Sequence, residues 1–258
     1  MHLPNAIRRL TDPVLERIPV PIAAGVNRGL WWNLASAGRG HASGRREAQR
    51  IRCIASLMKP GDVVWDVGAH KGYVTLCAAR RVGPTGSVHA FEPSEHNRLL
   101  LARHVAWNGF ANVVIHPFAL SSYNGAATFG GTGSSVGRSL GGGTAQVEVR
   151  TVDSLIASGA APMPTLVKAD VEGAEADLLQ GAGALLRGNA RLMIAMHSRE
   201  LFVQCEAILR AAGNSLVPSR AMSGWKNDYW FGDPDLYAAG PTRTDTLREA
   251  DELRGVGF

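Results

Sequence analysis

Asp66, Glu92, Asp170, Glu172 and His197 carry most of the chemistry this sequence can offer, and each stands at or near the end of an apolar run. Asp66 lies in Val63, Val64, Trp65, Asp66 and Val67, whose β-branched and aromatic side chains read as a short buried strand. Gly68, Ala69, His70, Lys71 and Gly72 then turn the backbone, and residues 73–82, opening with Tyr73, resume as a helix. Such a turn is expected to leave N–H groups unpaired at a helix start, where a carboxylate or phosphate is held. The absent side chains at Gly68 and Gly72 would let that ligand come close. The second station is Glu92, at the end of the next apolar run, with Pro93 stopping the strand behind it. In nucleotide-binding α/β units an acid there accepts hydrogen bonds from both ribose hydroxyls. A glycine turn alone can be purely structural; with Glu92 in register, an adenosine-type ligand is expected.

The turn also selects the ligand by what it lacks. A dinucleotide fingerprint needs a middle glycine to make room for pyrophosphate, and His70 occupies that place. Asp66 would repel a pyrophosphate but suits a cationic ligand, pairing with the amino group of S-adenosylmethionine near its sulfonium. His70 is tolerable at positive φ, since Asn, Asp and His are the non-glycine residues enriched there. The spacing therefore reads as a site for S-adenosylmethionine.

The acceptor chemistry gathers further on. A buried strand ending at Asp170 is followed by Val171, Glu172 and Gly173, so both acids emerge at the carboxyl end of a central strand. Glu175 is read as an ordinary helix N-terminal charge. His197 falls at the carboxyl end of the next strand, residues 191–197, and either is structural or shares a crevice with Asp170 and Glu172. Lys168 either orients a carboxylate or pairs with a neighbouring acid. A divalent metal would find Asp170, Glu172 and His197 sparse as a magnesium site, so none is assigned.

The elements that must position these groups alternate strand and helix. Residues 1–43 hold proline-broken apolar pieces and Trp31-Trp32, read as a helical and hairpin-like arm packed on the domain, although those tryptophans could line an acceptor pocket. An amphipathic helix over residues 45–58 feeds the first strand. Ser94 caps a helix to Trp107 with Leu99, Leu100, Ala102, Val105 and Ala106 as its apolar side, and Asn97 on its first turn faces the ribose or the adenine, or is a surface residue. Residues 112–117 make a third strand, after which Ala119 and Leu120 should border the adenine. Residues 126–129 and 146–150 read as short strands flanking a glycine- and serine-rich loop, which is either a disordered insertion or a mobile flap over the acceptor with Ser134 and Ser135 as its contacts. A helix over 201–212 and closing antiparallel strands near 215–218 and 229–231 complete a domain of residues 44–240, and residues 241–258 form a charged tail.

At 258 residues and 45% hydrophobic, the chain can bury one full α/β core. Its net charge of +5 comes mostly from dispersed arginine, without a lysine run interleaved with aromatics, which argues for a solvated basic surface and against a nucleic-acid partner. Cys53, Cys77 and Cys205 lack paired spacing and fit reduced, buried thiols in a cytoplasmic protein. No stretch reaches the roughly 18 apolar residues of a membrane span, and no oligomeric state can be read.

Taken together, the segments 61–69 with Gly72-Tyr73, 90–93, 119–121 and 168–175 resemble the FkbM family of S-adenosylmethionine-dependent methyltransferases. Position 70 departs from the pattern, which commonly has asparagine where His70 stands. The resemblance implies a Rossmann-like class I methyltransferase fold, with a seven-stranded, mostly parallel sheet flanked by helices, and O-methylation of a hydroxyl on a sugar, glycan or natural product. On that reading Asp170 holds cofactor and acceptor, and Glu172 or His197 is the general base. The rival readings are an N- or RNA methyltransferase and a non-catalytic module that only binds the cofactor.

Overall fold

A computed structural model describes residues 12–37, 48–130, 139–141, 143–214, 216–218 and 229–232. Ser134, Ser135, Trp225 and the charged tail, which carried expectations above, lie outside them. The strands in chain order are β1 (Pro19–Pro21), β2 (Trp31–Asn33), β3 (Val63–Val67), β4 (Ser87–Phe91), β5 (Val113–His116) and β6 (Ala119–Leu120). They continue as β7 (Gly125–Gly130), β8 (Ser139–Leu140), β9 (Ala145–Arg150), β10 (Leu166–Ala169), β11 (Arg191–Ala195), β12 (Leu216–Pro218) and β13 (Tyr229–Gly232). The main sheet has seven strands in the order β12, β13, β11, β10, β3, β4, β5. Pairing is parallel from β11 to β5, and only β13 runs against its neighbours.

β3, β4, β10 and β11 are nearly continuous runs of buried residues, as sheets covered on both faces require. One face packs Trp65, Phe91, Leu155, Leu178 and Ile194, and the other Ile54, Val64, Leu76, Val88 and Met193. The amino ends of three strands are tied at Asp62. Its carboxylate accepts from the Lys59 N–H at 2.6 Å, Thr165 Oγ1 at 2.7 Å and Arg191 Nη2 at 2.7 and 2.8 Å. Burial would raise its pKa, yet these donors hold it below the usual carboxylate range.

The helix after the bend spans Tyr73–Val82, and the next spans Glu95–Trp107 with Ser94 as its N-cap, as its sequence predicts. The buried side of that second helix is a correction: Asn97, Leu100, Leu101 and His104 face inward, whereas Leu99, Ala102 and Ala106 are exposed. A buried histidine and asparagine replace alanines as the inner stripe because both find polar partners there. Two helices went unanticipated, Val152–Ser158 and Gly183–Leu186. Thr151 capping the Ser154 N–H and left-handed Gly159 were the available signals for the first of them.

β6, β9, β7 and β8 form a separate four-stranded sheet, with the anticipated strand pair as its antiparallel centre. At the N-terminus β1 and β2 make the expected hairpin. Trp32 is buried against Ile22, Leu30 and Leu76, while Trp31 remains half-exposed.

Candidate active site

The bend after β3 has the backbone its residue types call for: φ is 75° at Gly68, 53° at His70 and 90° at Gly72. Its N–H groups, however, are directed inward. Those of Gly68 and Ala69 both donate to the Phe91 carbonyl at 3.0 Å, that of Gly72 to Ala69 at 2.8 Å, and that of His70 to Glu92 Oε2 at 2.8 Å. The expectation of unpaired donors waiting for an anion is therefore corrected at these four positions. The glycines are likewise explained from within. A Cβ on Gly68 would lie 1.9 Å from the Asp170 carbonyl oxygen, and one on Gly72 would lie 2.2 Å from Leu101 Cδ1. The chain's own neighbours occupy that space.

Glu92 stands at the tip of β4, beside the bend, and is buried. Besides His70, it accepts from the Ser94 N–H at 2.9 Å and Asn97 Nδ2 at 3.2 Å. Asn97 is thus neither a surface residue nor a bystander; it orients the acid. Burial raises the Glu92 pKa, and the three donors and nearby Lys168 oppose that rise. A carboxylate offers about four acceptor positions, so three protein donors leave capacity for a ligand hydroxyl, which fits a ribose. Pro93 follows Glu92 half-buried, and Ala69 and Ala119 are small buried apolar residues near this edge.

Asp66 does not face a ligand. Its carboxylate is fully buried beneath the bend, 2.9 Å from Lys168 Nζ and 2.6 Å from Thr75 Oγ1. Lys168 also donates to the carbonyls of Val67 at 3.3 Å and Gly68 at 3.0 Å. The pairing of Asp66 with a cofactor amino group is corrected accordingly, and of the two readings of Lys168 the geometry selects the ion pair. Burial lowers the Lys168 pKa, but Asp66, Asp170 and Glu92 raise it further than that, so the ammonium is retained.

Asp170, Glu172 and His197 do meet. β10 and β11 are adjacent and parallel, so their carboxyl ends bring His197 Nε2 to 3.4 Å from Asp170 Oδ1 and 3.5 Å from Glu172 Oε2. Glu172 itself takes a left-handed φ of 52°. The residue that sequence reasoning missed is Glu175. It opens its helix as expected, but it is fully buried. Its carboxylate accepts from the Val171 N–H at 3.2 Å, the Gly173 N–H at 3.1 Å and His197 Nδ1 at 2.8 Å. Only the distance in sequence between Glu175 and His197 hid this pairing. Burial would lower the His197 pKa, yet hydrogen bonds to Asp170 and Glu175 push it up to about 10. As an imidazolium at neutral pH it cannot accept a proton, so within the described residues the basic groups here are Asp170 and Glu172.

The arm reaches this site from the other side. His104 stacks on Trp32 with ring centroids 3.8 Å apart. Its Nδ1 lies 2.8 Å from the Lys71 carbonyl, and its Nε2 lies 3.2 Å from the Asn33 N–H and 2.8 Å from Asn33 Nδ2. One neutral tautomer satisfies all of these, with Nδ1–H donating to the bend and Nε2 accepting from the arm. Lys71 Nζ also donates to Ser36 Oγ at 3.0 Å.

A seven-stranded sheet with a single reversed strand, a glycine bend after β3 and acids at the tips of β4 and β10 is the Rossmann-like architecture of class I methyltransferases. Residues 66–216, more than half of the sequence, match the family described as methyltransferase FkbM domain, and the chain belongs to that family. The matched span runs through every station from Asp66 to His197. The structure resembles the methyltransferase FkbM of Methylobacillus flagellatus KT with a TM-score of 0.52 at 15% identity, covering 88% of this chain and 60% of that one. In sequence, the hexuronic acid methyltransferase AglP of Haloferax volcanii is 27% identical over 158 residues, 60% of this chain and 64% of that protein. The chain thus spans less than two thirds of each of these relatives. No helix among the described residues is long and apolar enough to cross a membrane.

Proposed function

We propose that this protein transfers a methyl group from S-adenosylmethionine to an oxygen of a sugar or glycan. The observation that carries the reading is Glu92, a buried carboxylate held by His70, Ser94 and Asn97 beside the bend with acceptor capacity remaining. Membership of a methyltransferase family supports the reaction class. The likeness to a hexuronic acid methyltransferase favours a sugar acceptor.

When bound, S-adenosylmethionine supplies a methyl carbon on a positively charged sulfur that is already an activated leaving group. The protein then has two tasks, holding the partners in line and receiving a proton. Glu92 grips the ribose, with Ala69, Pro93, Ala119 and Asn97 around it. His70, Gly72 and Tyr73 shape the bend. Asp170 stands at the edge between cofactor and acceptor, because its carbonyl packs on Gly68 while its carboxylate turns towards His197. Asp170 and Glu172 supply carboxylates for the hydroxyl's proton, and His197, held by Glu175, orients them. Asp66 and Lys168 support the bend from below.

Calorimetric titration with S-adenosylmethionine tests the reading. Glu92→Gln removes the charge that a ribose hydroxyl would meet; a hydrogen bond to a charged group contributes about 1.5–3 kcal/mol, so affinity should fall about 10- to 100-fold. Unchanged affinity in a folded variant would overturn the ribose assignment.

A further inference from the structure

We infer that Asp170, Glu172 and His197 bind one divalent first-row transition cation, which holds two oxygens of the acceptor sugar against the methyl donor. One ligand atom from each of the three residues lies within 4.8 Å of the others. The two closest separations involving His197 Nε2 are 3.4 and 3.5 Å. Donors about 2.1 Å from a common ion stand about 3 Å apart at right angles and about 4 Å apart when opposed. Sub-ångström side-chain adjustments therefore bring the three onto one centre.

The ring is also aimed. Glu175, with no exposed surface, takes Nδ1 and leaves Nε2 as the nitrogen facing the two acids. A buried carboxylate behind a histidine is the arrangement that fixes tautomer and orientation at metal centres. A cation would take the place of the proton on Nε2.

The donor set selects the ion. One imidazole nitrogen with two carboxylate oxygens suits Mn²⁺, Fe²⁺ or Zn²⁺ better than the all-oxygen shells preferred by Mg²⁺ and Ca²⁺. Three protein ligands leave coordination positions open, as catalytic sites do. The side chains of Asp170 and Glu172 retain 27% and 36% of their exposure, so those positions are reached from solvent at the carboxyl edge of the sheet. Two open neighbouring positions favour an acceptor that chelates through a vicinal diol or through a hydroxyl beside a carboxylate.

The role of the ion, though not its binding, rests on the methyl-transfer reading. A hydroxyl ligated there would be acidified and would pass its proton to the second carboxylate oxygen of Asp170 or Glu172, since each gives the cation one oxygen. Its oxygen bonds to the methyl carbon, and the carbon–sulfur electron pair remains on sulfur as the sulfonium becomes a thioether.

The test titrates Mn²⁺ into the EDTA-stripped full chain, followed by electron paramagnetic resonance, for the wild type, Asp170→Asn and His197→Gln. One ion per chain is expected, bound at least tenfold more weakly by each variant. In the wild type alone, Mn²⁺ should broaden the His197 ring resonances before those of His89, His104 and His116, a readout that survives if a variant fails to fold. No stoichiometric binding at millimolar Mn²⁺, equal affinity in folded His197→Gln, or preferential broadening elsewhere would each overturn the site. A parallel S-adenosylmethionine titration separates the two ideas: loss of that binding with Mn²⁺ still bound defeats the methyl-transfer reading and leaves the cation site standing.

Discussion

Replacing His104 with glutamine should abolish a specific acid sensitivity of the fold. In the native structure the ring is fully buried, and burial pushes its pKa down to about 4 from an ordinary 6.5, outweighing the hydrogen bond to Lys71. The tautomer explains why: a second proton on Nε2 would face the two donors of Asn33. The unfolded chain therefore takes up the proton first. Stability is complete above about pH 6.5 and is lost as pH falls towards 4, by about 2 kcal/mol at pH 5 and about 3 kcal/mol at pH 4. Glutamine can donate to Lys71 and accept from Asn33 without titrating. Urea unfolding of both proteins at pH 7, 5 and 4 should show the wild type's advantage shrinking by those amounts. His116, also pushed down to about 4, is present in both proteins and cancels in the comparison. A difference that stays constant from pH 7 to pH 4 would refute the assigned tautomer and the tie between arm and bend.

Lys168→Met strands the fully buried Asp66 without its cation and should cost about 3–5 kcal/mol; thermal unfolding reads the loss, and adding Asp66→Asn should recover part of it. Gly68→Ala places a methyl group 1.9 Å from the Asp170 carbonyl at a φ of 75°, so little folded protein should be recovered, as circular dichroism would show. Recovery of a native-like Gly68→Ala protein would mean that β3 and β10 can part at no great cost.

Local signals were sufficient wherever one stretch of chain decides its own conformation. The run from Val63 to Val67 alternates nothing and is buried on both sides; the glycines and His70 name the residues that tolerate positive φ; Ser94 marks its helix start. Those features, with Glu92 at a strand tip and acids at 170 and 172, determined the fold class and the placement of the acidic stations. What they could not determine is which polar groups answer each other across elements. Asp66 and Lys168 are an ion pair because β3 and β10 lie side by side with those two residues in register. His197 is held by Glu175 because the end of β11 stands beside the helix that follows β10. His104 joins the arm to the bend because its helix packs under the β1–β2 hairpin. Hydrogen bonds and ion pairs act over about 3 Å, and residues distant along the chain come within that reach only when the sheet order is complete.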